Sequence, residues 1–308
     1  MNRPKPILIV LALVLFLCTG CNRITFGYNH ADWLLRHWIN DYASFDTEQE
    51  HEIRTDVDDY MSWHRKNALP EYIAFLQYLE VLANRDSALK PTDVIHIRSE
   101  ISRLYKFSVT PLVLPAAHML STLNDRQIEE LQKTLSKQNQ EQREEMLSDN
   151  KQEEIFKRSD GYIHFVEGLV GRLSTEQEDK IREMSTRIPF ATRHYIEHRE
   201  AMQVRLILLL RSHAREDKVA ALFSQWINSP LAPATPQERH IFEDYDNAMN
   251  EMIAGISELL TAPQRAQLRK TIADHIEDFQ NLHNEPESGT AAHSEPPDTA
   301  HIPPRLRP

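Results

Sequence analysis

Leu123-Asn124-Asp125-Arg126-Gln127, running on into Ile128-Glu129-Glu130-Leu131, reads as the opening of a helix. Asn124 can accept the backbone amide of Gln127, and the Gln127 side chain can reach back to the amide of Asn124, the reciprocal pair of a capping box. The same design recurs as Phe45-Asp46-Thr47-Glu48-Gln49, Leu173-Ser174-Thr175-Glu176-Gln177 and Leu260-Thr261-Ala262-Pro263-Gln264. Each glutamine is followed one turn later by an apolar residue: Ile53, Leu131, Ile181 or Leu268. Pro263 fits, because its missing donor would have no intrahelical partner. The copies are unevenly spaced, which excludes a regular solenoid. Losing one cap should cost about 1 kcal/mol.

The rest of the chain agrees with an all-α fold. Only 7 of 308 residues are glycine, and Leu, Glu, Gln, Arg and Ala abound without a clear alternating run. The spacing predicts a helix with Leu34, Trp38, Tyr42 and Phe45 on one stripe and Asp32 as its cap. A second helix should follow Asp46 through Ile53, Val57, Tyr60, Met61 and His64. Pro70 and Pro91 sit where third and fourth helices would begin, with Tyr72, Phe75, Leu76, Leu79 and Leu82, then Ile95, Ile101, Leu104 and Tyr105, as their apolar faces. Pro111 and Pro115 break the chain before Leu123. A long helix from Asn124 towards Arg158 has a polar far end and a hinge near Ser148–Asn150. Pro189 should open a helix whose end, Leu206–Leu210, is apolar on all sides and so central to the core. The last two helices are expected over 237–260 and 261–282.

The first residues concern location. Arg3 and Lys5 precede the apolar run Ile7 to Cys18, which is shorter than the ~20 residues of a spanning helix and has the flanks of a secretory signal. Cys18-Thr19-Gly20-Cys21 resembles the lipobox of bacterial lipoproteins, although Cys18 stands where Leu is usual. The resemblance implies cleavage before Cys21, acylation of that cysteine with palmitate-type chains, and a membrane partner reached through the anchor. Asn22 is not the Asp associated with inner-membrane retention, so an outer-membrane, periplasm-facing location is expected. The division expected is therefore a signal peptide over 1–20, a lipidated tether over 21–30, an all-helical domain over 31–283 with a hinge near 148–160, and a disordered tail over 284–308, rich in Pro, Glu, Ser and Thr.

The net charge of −11 argues against nucleic acid as a partner. Cys18 and Cys21 are the only cysteines, which leaves no internal disulfide once the leader is gone. No motif calls for a cofactor, and no nucleophile constellation or glycine loop for phosphate is present. Two groups remain as candidates. Trp63-His64-Arg65 can form a partner-binding constellation with Asp32 or Asp59, or a stacked packing element. His194 and His198, at i and i+4 beside Glu197 and Glu200, have metal-ligand spacing but no identifiable third ligand. Trp33 and Trp38, close to the anchor, can serve the core or the membrane interface.

Several stretches together resemble an uncharacterised family of Gram-negative lipoproteins. They are Tyr28-Asn29-x-x-Asp32-Trp33-Leu34-Leu35 with Trp38 and Asp41-Tyr42, Trp63-His64-Arg65, Leu69-Pro70-x-Tyr72, Gly171-x-Leu173-Ser174-x-x-Gln177, and Leu260-Thr261-x-x-Gln264-Arg265. The Leu-Thr-x-x-Gln pieces are also similar to those of periplasmic stress chaperones. These likenesses imply lipid anchoring and an all-α fold but no activity. The expected function is thus a non-enzymatic interaction, structural or chaperone-like role in the envelope, with envelope proteins as partners. The alternative is a metal-dependent hydrolase using His194 and His198. The sequence sets no oligomeric state.

Overall fold

The computed structural model describes residues 21–285 apart from 149 and 233, and the described residues form helices and no strands. In chain order these are α1 (Cys21–Asn29), α2 (Ala31–Asn40), α3 (Thr47–Trp63), α4 (Leu69–Ala83), α5 (Pro91–Val109), α6 (Val113–Ser121), α7 (Asp125–Met146), α8 (Lys151–Val170), α9 (Thr175–Thr186), α10 (Thr192–Arg211), α11 (Glu216–Asn228), α12 (Pro236–Leu259) and α13 (Ala262–Asn284). The signal peptide over 1–20 and the tail from 286 onward lie outside the described residues.

All four capping boxes form, at the starts of α3, α7, α9 and α13. A fifth, Thr235 with Glu238, opens α12. The four glutamines do more than cap, because they meet in two pairs. Gln127 Nε2 donates to Gln49 Oε1 at 2.6 Å and Gln49 Nε2 returns a bond to Gln127 Oε1 at 3.4 Å. Gln177 and Gln264 exchange the same two bonds at 2.8 and 3.0 Å. Each amide also donates to the carbonyl two residues before its partner's cap: Gln127 to Ser44, Gln49 to Thr122, Gln177 to Leu259 and Gln264 to Arg172. The four side chains are buried, and this arrangement satisfies their donors and acceptors.

The pairing reveals two halves with one order of elements. Helices α2 to α7 make the first and α8 to α13 the second, and their contacts exchange between halves. Helix α4 packs on α13 and α10 on α7; α5 packs on α12 and α11 on α6; α2 lies on α3 as α8 lies on α9. The outermost relation repeats too, since α8 packs on α13 while Tyr42, just past α2, bonds Gln138 of α7. Helices α5 and α11, the counterparts at the centre, touch each other. Val94 and Val219, at matching fourth positions of those two helices, are both fully buried. Each half thus lends helices to the other. Three apolar clusters hold the whole: α6, α7, α10 and α11 through Ile128, Leu206 and Val219; α8, α9 and α12 through Ile163, Ile181 and Met252; α1, α4 and α13 through Ile24, Leu69 and Leu282.

Several expectations need correction. The tether over 21–30 is helical, because Ile24 enters the third cluster and Tyr28 finds a buried partner. Asp32 does not cap α2; it lies in the first turn and pairs with Arg36 at 2.6 Å. Pro70 does not begin a separate helix. Helix α3 runs through a π-turn, His64–Ala68, into α4, with the Leu69 amide reaching back five residues to the His64 carbonyl. Pro70 has no amide for the carbonyl four residues earlier and its ring crowds that group, so the wider turn relieves both problems. The long polar helix stops at Met146 and α8 starts at Lys151, so the break falls at the expected hinge but is shorter than 148–160. Helix α10 begins at Thr192, not Pro189, and is not apolar-buried all round, since Val204 and Leu208 are 58 % and 62 % exposed. On α5, Val94 is buried while Ile95, Ile101 and Tyr105 face out. Helix α13 extends to Asn284, two residues beyond the expected end at 282.

Candidate functional site

The π-turn places Trp63, His64 and Arg65 where α1, α4, α5 and the end of α13 converge. Imidazole His64 is 4 % exposed. Its Nδ1 lies 3.0 Å from the Tyr28 hydroxyl and its Nε2 3.3 Å from that of Tyr72. Tyr72 in turn meets Ser108 Oγ at 2.5 Å, and Tyr60 donates to the Ser108 carbonyl at 3.2 Å. Burial, aided by the neighbouring Arg65 charge, lowers the His64 pKa to about 4, so the ring is neutral at physiological pH. Burial likewise raises the phenols of Tyr28, Tyr60 and Tyr72.

Arg65 faces the other way. Its Nη1 donates to the Leu282 carbonyl at 2.6 Å and pairs with Glu285 at 3.4 Å, and its Nη2 donates to Asn29 Oδ1 at 3.0 Å. The guanidinium also lies over the Tyr28 ring at 5.1 Å. A cation on the last carbonyls of a helix is favoured by the helix dipole. Trp63 packs against Phe107 with ring centroids 5.3 Å apart. The triplet therefore uses Tyr28, Tyr72, Asn29 and Glu285 as partners rather than Asp32, which is taken by Arg36. The arrangement fastens α3, α4 and α5 to one another and joins α1 to the end of α13.

His194 and His198 converge on a residue that sequence reasoning missed. Glu238 Oε1 lies 3.7 Å from His194 Nδ1 and 3.5 Å from His198 Nε2, and the Phe242 ring packs beside both imidazoles. Those separations exceed hydrogen-bonding distance, and both nitrogens are buried without a hydrogen-bond partner. The capping bonds to Thr235 hold the Glu238 carboxyl below its usual range. Among the described residues no group of three or more His, Cys, Asp or Glu is disposed to hold a metal ion. Glu238 stands in a Thr-x-x-Glu box, so its capping role was legible; its approach to α10 was not. Cys21 begins α1, and its side chain lies outside the described residues.

The residues meeting at the π-turn come from three separated stretches, Tyr28-Asn29, Trp63-His64-Arg65 and Leu69-Pro70-x-Tyr72, and their joint appearance in the sequence was the available signal for the site. Among known protein families, residues 41–228 match the model described as a family of unknown function (DUF6279). No curated protein and no solved structure matches the chain.

Proposed function

The chain belongs to a family of unknown function, DUF6279, and from that premise we propose that it is a lipid-anchored protein of the cell envelope acting through interaction rather than catalysis. Acyl chains on Cys21 hold it to a leaflet, expected to be the periplasmic face of the outer membrane, and the helical body presents surfaces to envelope proteins in a structural or chaperone-like role. One observation carries the interaction part. Val204 and Leu208 are a turn apart on α10 and largely exposed, on a helix whose opposite face supplies Met202, Leu206 and Leu210 to the core. Adjacent large apolar side chains held in water are what a partner-binding face needs.

Crosslinking in intact cells followed by mass spectrometry tests the reading. Wild type should capture a reproducible set of envelope proteins, lost with Cys21→Ala and reduced with Val204→Asp plus Leu208→Asp. A catch indistinguishable from that of an unrelated lipoprotein would overturn it. The less supported reading, a metal-dependent hydrolase at His194 and His198, rests on their two unpartnered nitrogens and the approach of Glu238. Stoichiometric zinc in the purified chain, abolished by His198→Ala, would bring that reading forward.

A further inference from the structure

The outer side of α1 and α2 carries a row of rings. Phe26, His30, Trp33 and His37 follow at i, i+4, i+7 and i+11, which aligns them along one face across the Asn29–Ala31 junction. They meet in two pairs, Phe26 against His30 with centroids 4.3 Å apart and planes tilted by 30°, and Trp33 stacked on His37 at 5.3 Å with planes within 2°. Phe26 and His37 are exposed, and the row contains no carboxylate. Helix α2 fully buries none of its residues. Its inner side leans on α3, where Arg36 pairs with Asp58 at 2.9 Å.

The row starts beside the acylation site. At 1.5 Å per residue, Phe26 lies about 8 Å along the helix from Cys21, and Trp33 about 18 Å. There is no slack between anchor and body, because Ile24 is buried against α4 and α13. Arg65 adds a second fastening through Asn29.

We propose that this ring-bearing face of α1 and α2 is a bilayer-interface surface: with Cys21 acylated, the two helices lie along the membrane with Phe26 and Trp33 at headgroup level. The inference rests on the anchor reading and adds an orientation to it. Amphipathic rings favour the interface, and their contact supplements the acyl chains. The neutral row matters in a chain of net charge −11, since an acidic face would be repelled by anionic lipid. Among the described residues no helix is long and apolar enough to cross a membrane. A surface contact is the mode this geometry serves.

The test uses full-length acylated chain, purified from membranes and reconstituted into phosphatidylethanolamine–phosphatidylglycerol vesicles. With Cys21 acylated and Cys18 removed, His37→Cys supplies a unique thiol for an environment-sensitive fluorophore, and Lys180→Cys on α9, in the other half, supplies the control. Circular dichroism checks that both variants keep their helices, and mass spectrometry reads acylation at Cys21. The expected result is several-fold stronger quenching by lipid-borne quencher at 37 than at 180. Equal quenching of the two labels, in chain that is acylated and floats with the vesicles, would overturn the seating and leave the anchor standing. An unacylated Cys21 would overturn both.

Discussion

At the scale of single residues, glutamine carries an unusual share of the architecture. A capping glutamine ordinarily satisfies its own helix start. Here each one also closes a two-way amide pair with a second start, buried from solvent. Gln127→Ala should therefore cost more than a cap, about 2–3 kcal/mol, because Gln49 loses its partner and the Ser44 carbonyl its donor. A double-mutant cycle in urea should give a clear coupling energy for Gln49 with Gln127 and near additivity for Gln49 with Gln264. His64 makes a pH-dependent prediction. Its folded pKa, about 4, lies below the ~6.5 of an unfolded histidine. The unfolded chain then binds the proton first, so stability is intact above pH 6.5 and falls as pH drops from there to about 4, by up to about 3 kcal/mol. Denaturant midpoints at pH 7 and pH 4.5 should differ more in wild type than in His64→Gln; equal differences would refute this assignment.

At the scale of elements, the π-turn is the joint that matters. Without it α3 and α4 would not deliver His64 inward and Arg65 towards the end of α13 from adjacent positions. Arg65→Ala removes the contacts to Leu282, Asn29 and Glu285 together. We expect α1 to loosen, with hydrogen exchange over residues 24–30 accelerating markedly and the α7–α10 region unchanged, and global stability to fall by about 1–2 kcal/mol. Uniform acceleration across all helices would show that Arg65 supports the whole fold and not the terminal junction alone. Helix α10 shows why apolar composition alone is a poor guide to burial: a helix between two packed neighbours still has an outer face, and Val204 and Leu208 occupy it.

At the scale of the molecule, the two halves are interlocked, since the third helix of each half packs against the last helix of the other. Neither half retains a complete core alone. Residues 21–148 and 149–285 expressed as separate chains should each show little cooperative unfolding, and mixing them should restore helicity and a shared melting transition. Two independently folded fragments would contradict the interlock. Among the described residues α13 finishes beside α1, and the Asn29–Glu285 bond at 3.2 Å marks the place.

The local rules in this chain were readable in advance. Capping boxes, the helix breaks at Pro111 and near residue 148, and the all-α class depend on contacts within four residues or on composition, which sequence displays directly. The apolar stripes were less faithful. Ile53 and Val57 face the core as the period implies, whereas Ile95 and Ile101 do not, because period tells which residues share a face and not whether a neighbour covers it. His64 was read as one member of the stripe with Ile53, Val57, Tyr60 and Met61 and proved to be the hub of a buried polar network, its phenol partners lying 36 and 8 residues away. The sequence by itself determined where helices begin, because a cap is satisfied by its own turn. Only the tertiary structure decided which of the four glutamine-bearing helix starts meet, which imidazoles face a carboxylate and how the halves exchange helices, because those choices depend on burying surfaces far apart in the chain.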